Sequence, residues 1–220
     1  MIITLLLAVL PPLLIAFYIY KKDKYDVEPT RMIIKSFLFG CLTPIPVLII
    51  SLYVNESIFP NLFLYVFFGI AFVEEGVKYF FLKKFFYNKK EFNEPMDGIV
   101  YAVMVSLGFA FVENILYVYF YAPEQSMYVA FSRMYSAIPL HAFCGVILGY
   151  FVGIAKFSFN KNVILFKGFF LAVLLHCLYD YYIFAGDSFI FSIFSLIAAG
   201  YYCNKAIRIL QLDSKKRHVN

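Results

Sequence analysis

Apolar positions along this chain gather into long runs, each close to the roughly 20 residues that a helix needs to cross a bilayer. Seven runs predict seven spans, at about 2–20, 32–54, 60–82, 97–121, 127–155, 163–184 and 188–204. The polar breaks between them are short, as at Asn55 to Pro60, Ala122 to Ser126 and Ala185 to Asp187. The pattern predicts an all-α, polytopic transmembrane bundle. Nearly the whole chain is committed to spans, so residues 1–220 are expected to form one integral-membrane domain. The first run, Met1 to Tyr20, has no basic leader and no A-x-A cleavage pattern, so it reads as a retained span.

Polar residues interrupt these runs at places where hydrocarbon should exclude them. Glu74, Glu75, Lys78, Glu113, Arg133 and Asp180 fall inside predicted spans, with His141 and His176 in the same surroundings. A charge at the centre of a membrane helix costs about 2.5–3.5 kcal/mol, so six unpaired ones would cost roughly 15–20 kcal/mol. A chain that keeps them is expected to build a polar site within the bilayer.

Composition agrees with the pattern. The chain is 63% hydrophobic and 15% charged, with 28 Phe and 19 Tyr, against about 45–50% and roughly 25% in a soluble domain. Cys41, Cys144, Cys177 and Cys203 sit in apolar segments at no metal or disulfide-framework spacing, and read as small buried hydrophobes. The net charge of +5 does not indicate nucleic-acid binding, because the basic residues flank spans instead of forming a patch. Lys21, Lys22, Lys24 and Arg31 mark one set of connections, with Lys83, Lys84, Lys89, Lys90, Lys156 and Lys161. Lys205, Arg208, Lys215, Lys216 and Arg217 place the C-terminus on the same side, and the opposite loops carry no Lys or Arg. The positive-inside rule then predicts an external N-terminus and a cytoplasmic C-terminus.

The intramembrane polar residues fall into motifs. Glu74 and Glu75 stand four and three residues before Lys78, so either carboxylate can meet the ammonium on one helix face. A single internal ion pair that eases insertion would explain Lys78 and one glutamate, but would leave the other without purpose. His176 and Asp180, at i and i+4, also share a face, which lets the carboxylate fix the imidazole tautomer or lets both groups face a common centre. Glu113 and Asn114 occupy the fourth span, and Arg133 and His141 the fifth. Arg133 could neutralise Glu113 or Asp180. The chain lacks a His-Glu-x-x-His, the usual zinc-helix signature. It also lacks a Gly-x-Ser-Gly, and only Asp180 lies deep in a span, so neither a serine protease site nor an aspartyl dyad is available. A Glu/His/Asp constellation remains. It suits water activated by a carboxylate base, with histidine stabilising a developing oxyanion.

At these motifs the chain resembles the PrsW family of intramembrane proteases, a branch of the CAAX-endopeptidase/Abi superfamily. The resemblance runs through Glu-Glu-x-x-Lys at 74–78, Phe-x-x-x-Glu-Asn at 109–114, His141-x-x-x-Gly145 and His176-x-x-Tyr-Asp180. Lys78 and Glu113 stand where the wider superfamily has Arg and His, which is the PrsW-type variation. The resemblance implies a multi-pass protease of the bacterial cell membrane, with catalytic spans at about 60–184. Its implied role is first-site cleavage of a single-span membrane anti-sigma factor, which frees an extracytoplasmic-function sigma factor in a stress response. It makes Glu74 the water-activating base and His176 the holder of water or oxyanion, with Asp180 orienting or sharing that task. Glu75 and Lys78 would shape the site electrostatically, and Glu113, Asn114, Arg133 and His141 would complete its polar wall. No cofactor is expected. A metal-dependent version would use the same residues, with zinc between His176, His141 and one carboxylate. Two other classes are weighed beside the hydrolase: a proton-coupled transporter, which commonly shows internal repeats not visible here, and a scaffold whose ion pairs only specify helix packing.

Overall fold

The computed structural model describes residues 2–186 and 189–218, and its elements are helical. Among the described residues there are seven long helical runs: α1 (Ile2–Lys22), α2 (Thr30–Ser51), α3 (62–85), α4 (Pro95–Tyr121), α5 (Pro123–Lys156), α6 (Lys161–Phe184) and α7 (Phe189–His218). The expected connection at 185–187 ends on Asp187, and the expected last span begins at Ser188. Both lie outside the described residues, as do Met1 and Asn220.

Six of the runs are long and apolar enough to cross a membrane. The exception is α3, expected as the third span. It is helical throughout 62–85, but Glu74, Glu75 and Lys78 dilute its apolar character in the middle. Its turns from Tyr65 to Ala71 are π-helical, just before the glutamate pair, and a second π-helical stretch, Tyr117–Tyr121, follows Glu113 and Asn114 in α4. Such widened turns often accompany functional sites.

Two other expected spans are interrupted. In α2 the α-helical pattern is interrupted at Thr43, whose hydroxyl donates to Gly40 O at 2.6 Å, ahead of Pro44 and Pro46. In α5 a short helix, Ser126–Tyr135, is separated from Ala137–Lys156 at Ser136, where φ and ψ are −125° and −75°. Pro139 accounts for this break, because its ring has no N–H to give Tyr135 O and would clash with that carbonyl. The last helix departs in the other direction. Expected to end near 204, α7 continues through its basic segment to His218, with no Gly or Pro to stop it after Gly200.

The axis of the bundle is α4, whose side chains are buried without interruption from Pro95 to Ala110. Helices α1, α2 and α5 surround it, α6 and α7 pack on α5, and α3 bridges α4 and α6. Small residues permit the tight α4–α5 approach: a Cβ at Gly149 would lie 2.4 Å from Gly98 O, and one at Gly153 would lie 2.0 Å from Pro95 O. Outward positions such as Ile34, Phe166 and Ile197 are exposed and apolar, as a lipid-facing surface requires.

The basic segments meet at one end. Arg31 reaches Glu91 at 3.5 Å, Lys156 donates to Tyr87 O and Phe92 O, both at 2.5 Å, and Gln211 donates to Lys22 O at 2.6 Å.

Candidate active site

In the half of the bundle away from the basic end, four helices bring together the polar residues singled out in the sequence. Asp180 lies one turn before the end of α6, and Glu113 two turns before the end of α4. From α3, Lys78 Nζ contacts Glu75 Oε1 at 2.8 Å and Glu74 Oε2 at 3.5 Å. The same ammonium lies 3.1 Å from His141 Nδ1 and 4.0 Å above the Phe109 ring. Lys78 is therefore a hub joining α3, α4 and α5, and not merely one half of a local ion pair.

His176 is gripped from two sides. Its Nδ1 is 2.9 Å from Glu75 Oε1, while its Nε2 is 3.2 Å from Asp180 Oδ2 and 3.8 Å from Glu74 Oε2. Glu75 thus shares with Asp180 the tautomer-fixing contact expected of Asp180 alone, gripping one ring nitrogen from behind while Asp180 meets the other on the open side of the ring. With its proton on Nδ1, a neutral His176 presents an Nε2 lone pair toward two carboxylates. That arrangement calls for a proton, a water or a cation between them.

The outer wall is a separate network. His141 Nε2 meets Glu113 Oε2 at 2.9 Å, and the Arg133 guanidinium also pairs with Glu113. Arg133 Nε donates to Asn114 Oδ1 at 2.6 Å, and the guanidinium stacks 4.0 Å from the Tyr117 ring. Asn114 in turn donates to Ala8 O at 3.0 Å, which fastens α1 to the site. The break at Ser136 enables this wall, because Arg133 approaches on the short helix while His141 enters on the next one.

A cavity of about 60 Å³ lies among these groups, more than the ~10–15 Å³ that a single water occupies. Glu74, Glu113, Arg133, His141, His176 and Asp180 line it, with Ile70, Tyr117, Ala137, Leu140, Tyr179 and Phe184. Glu75, Lys78 and Asn114 are not in the lining; they brace it from behind. Tyr117 and Phe109 were not foreseen as site residues, although each stands four positions from Glu113 and so shares its face of α4. The tie to Ala8 O uses a backbone carbonyl and left no signal in the side-chain pattern.

Long apolar helices closed around a buried carboxylate–imidazole centre, with room for water, define a membrane-embedded protein with a polar reaction site in its interior. The sequence profile described as PrsW family intramembrane metalloprotease matches residues 28–203. Protease PrsW of Geobacillus kaustophilus (strain HTA426) is 38% identical over 181 residues, which are 81% of this chain and 79% of that protein. Protease PrsW of Bacillus subtilis (strain 168) is 36% identical over 184 residues, 82% and 83% of the two chains. Protease PrsW of Clostridioides difficile (strain 630) is 36% identical over 183 residues, 80% and 77%. No solved structure matches. The chain belongs to the PrsW family of intramembrane proteases. It is an enzyme of a multi-pass bacterial membrane family, and the transporter and scaffold readings fall away.

The family description includes a metal, and the side chains present fit one. Glu74, His141 and His176 each offer a ligand atom within 4.8 Å of the others, and Glu75, Cys144 and His176 form a second such group. The first group borders the cavity and has the His₂-carboxylate chemistry of catalytic zinc sites. The second is less suited: Glu75 is already bound to Lys78, and Cys144 Sγ contacts Ala172 O at 3.6 Å.

Proposed function

We propose that this protein performs first-site cleavage of a single-span membrane anti-sigma factor, releasing an extracytoplasmic-function sigma factor for a stress response, and that it works as one integral-membrane unit with its catalytic helices between about 60 and 184. The observation that carries the reading is the convergence of Glu74, His176 and Asp180 on a water-sized cavity in the bundle half remote from the basic end. By the loop-charge rule that half is extracytoplasmic, where a first cut shortens the external part of a substrate before later steps reach its span.

In this mechanism the Glu74 carboxylate takes a proton from water held in the cavity, and the oxygen adds to the scissile carbonyl. The tetrahedral intermediate collapses with cleavage of the C–N bond as the proton on Glu74 passes to the leaving amine. His176, held by Glu75 through Nδ1, presents Nε2 toward the same space and stabilises the oxyanion as a donor once that nitrogen carries a proton. Asp180 holds the water or shares the proton. Lys78 braces Glu75 by direct contact, so Glu75 positions His176 without meeting substrate. Arg133 neutralises Glu113, and His141, which accepts from Lys78 at Nδ1, donates its Nε2–H to the same carboxylate and keeps it turned into the wall.

The ligand distances favour a second reading, in which Glu74, His141 and His176 hold zinc. When bound, zinc supplies a Lewis acid and lowers the pKa of a coordinated water. Glu75 would then orient His176 as an outer partner, and Asp180 would remain the free carboxylate facing the cavity.

The test is cleavage of a single-span anti-sigma factor by the purified protein in liposomes, with and without chelator. Cleavage on the external side of the substrate span is the expected result. A cut on the cytoplasmic side, or none with a substrate that is cleaved in cells, would reject this assignment.

A further inference from the structure

A second group of buried carboxylates lies at the basic end, remote from the cavity. Asp97 and Glu113 stand on the same helix sixteen residues apart (113 − 97), or about 24 Å at 1.5 Å per residue. Asp23 and Glu28 come from the α1–α2 connection, and Glu94 and Asp97 from the start of α4. They are 3%, 4%, 1% and 0% exposed, respectively.

Each of these carboxylates has hydrogen bonds on one oxygen. Asp97 Oδ2 caps α4, accepting the N–H groups of Asn93 at 2.7 Å and Glu94 at 2.8 Å. Asp23 Oδ2 accepts the N–H of Glu28 at 2.9 Å, and Glu28 accepts the Tyr101 hydroxyl proton. Glu94 Oε2 meets His218 Nε2 at 3.1 Å. The other oxygens of three of them, Asp23 Oδ1, Glu94 Oε1 and Asp97 Oδ1, are buried with no hydrogen-bond partner. One oxygen from each of Asp23, Glu94 and Asp97 also lies within 4.8 Å of the other two.

Buried acceptors without donors and like charges at this range are each costly. Among the described residues, the basic group within 4 Å of this cluster is His218, which is also 3.8 Å from Asp26. Lys156 gives its ammonium to the carbonyls of Tyr87, Phe92 and Lys89. Glu28 and Asp97 share a side-chain hydrogen bond, which takes one proton between the two carboxyl groups, and one imidazole does not balance the charge that remains.

We propose that Asp23, Glu94 and Asp97 form a structural site for a hard divalent cation, of the Mg²⁺ or Ca²⁺ class, that clamps the α1–α2 connection to the start of α4. The donors are all carboxylate oxygens, which select hard cations over zinc. Each of the three carboxylates is already oriented by hydrogen bonds on one oxygen, so the ligands are preorganised. The site is independent of the protease centre, which offers imidazoles.

The experiment uses the full chain in detergent or nanodiscs, freed of metal with EDTA and dialysed. Thermal unfolding is followed while MgCl₂ or CaCl₂ is titrated against NaCl of equal ionic strength, and Mn²⁺ binding is counted by electron paramagnetic resonance. The expected result is a saturable rise in Tm of roughly 5–10 °C at a hundredfold excess over Kd, with one Mn²⁺ site displaced by Mg²⁺ or Ca²⁺. Asp23→Asn and Asp97→Asn should abolish both signals, whereas His176→Ala should keep them. Asp97 also caps α4, so if Asp97→Asn does not accumulate, Asp23→Asn decides. Absence of a cation-dependent shift and of Mn²⁺ binding in the wild type would overturn the proposal. So would a shift that survives Asp23→Asn, or asparagine variants that raise Tm in a chain indifferent to cations, which would mean that protons hold the cluster together.

Discussion

Glu75 and His176, 101 positions apart in the chain, meet at 2.9 Å through Oε1 and Nδ1 with both side chains buried. The contact divides the glutamate pair by task. Lys78 and Glu75 form a support behind the imidazole, and Glu74 remains on the cavity side with Asp180. Adjacent residues of a helix point about 100° apart, and here that divergence sends one carboxylate to the ring's rear nitrogen and the other to its front.

The first prediction follows from this division. Glu74→Gln keeps size and hydrogen bonding but removes the base, so proteolysis should fall about 10²-fold or more with normal accumulation, in line with general-base contributions of ~10²–10⁴. Glu75→Gln should instead lower accumulation and Tm as well as activity, because Lys78 and His176 lose a buried anion, a loss worth about 3–5 kcal/mol for a buried pair. Western blots of membrane fractions beside cleavage assays distinguish the two. Equal accumulation of both variants would contradict the support role of Glu75.

A second prediction concerns the outer wall. Arg133 pairs with Glu113, donates to Asn114 and stacks on Tyr117. Arg133→Met should leave Glu113 buried against His141 alone and reduce both accumulation and cleavage. Arg133→Lys keeps the charge but not the planar fork that makes these contacts together, so it should recover accumulation more than activity. Indistinguishable behaviour of Met and Lys would show that the charge contributes nothing.

Topology supplies a third. Reporters inserted within 84–94 or fused after Asn220 should read cytoplasm, and one at 55–58 should read the exterior. The connections that carry the basic residues converge on one end of the bundle, while the opposite loops carry none. A cytoplasmic reading at 55–58 would invert the bundle and place the cavity in the inner half of the membrane.

Much of this was legible because hydrocarbon makes polar residues conspicuous. Glu74, Glu113, His141, His176 and Asp180 stand out against apolar runs, and their i, i+3 and i+4 spacings gave the contacts within each helix. Contacts between helices were not legible. Nothing in the spacing of Lys78 indicates that it reaches His141, and His176 meets Glu75 only because α6 packs along α3. The break in α5 was missed because 127–155 reads as one span despite Ser132, Arg133, Ser136 and His141, and the effect of Pro139 falls three to four residues upstream. The charges of α3, in contrast, reduce its spanning character at the very place where the site is built. The acidic cluster at the basic end escaped notice because Asp23, Glu28, Glu94 and Asp97 lie at span ends, where charge is ordinary.

The last prediction tests His176 and Asp180 as a unit. Asp180 Oδ2 is 3.2 Å from His176 Nε2, the nitrogen that also faces Glu74. If both serve one water or oxyanion, His176→Ala and Asp180→Ala should each nearly abolish cleavage, and the double variant should be little worse than either single, because groups acting together are non-additive. Zinc held by Glu74, His141 and His176 predicts a different pattern. His141→Ala should then be as damaging as His176→Ala, phenanthroline should silence the wild type, and added zinc should restore it. Activity that survives the chelator, with His141→Ala only partly impaired, would leave the carboxylate mechanism in place. Strictly multiplicative losses for His176 and Asp180 would sink their partnership, and the 3.2 Å contact would then be packing between neighbours on one face of α6.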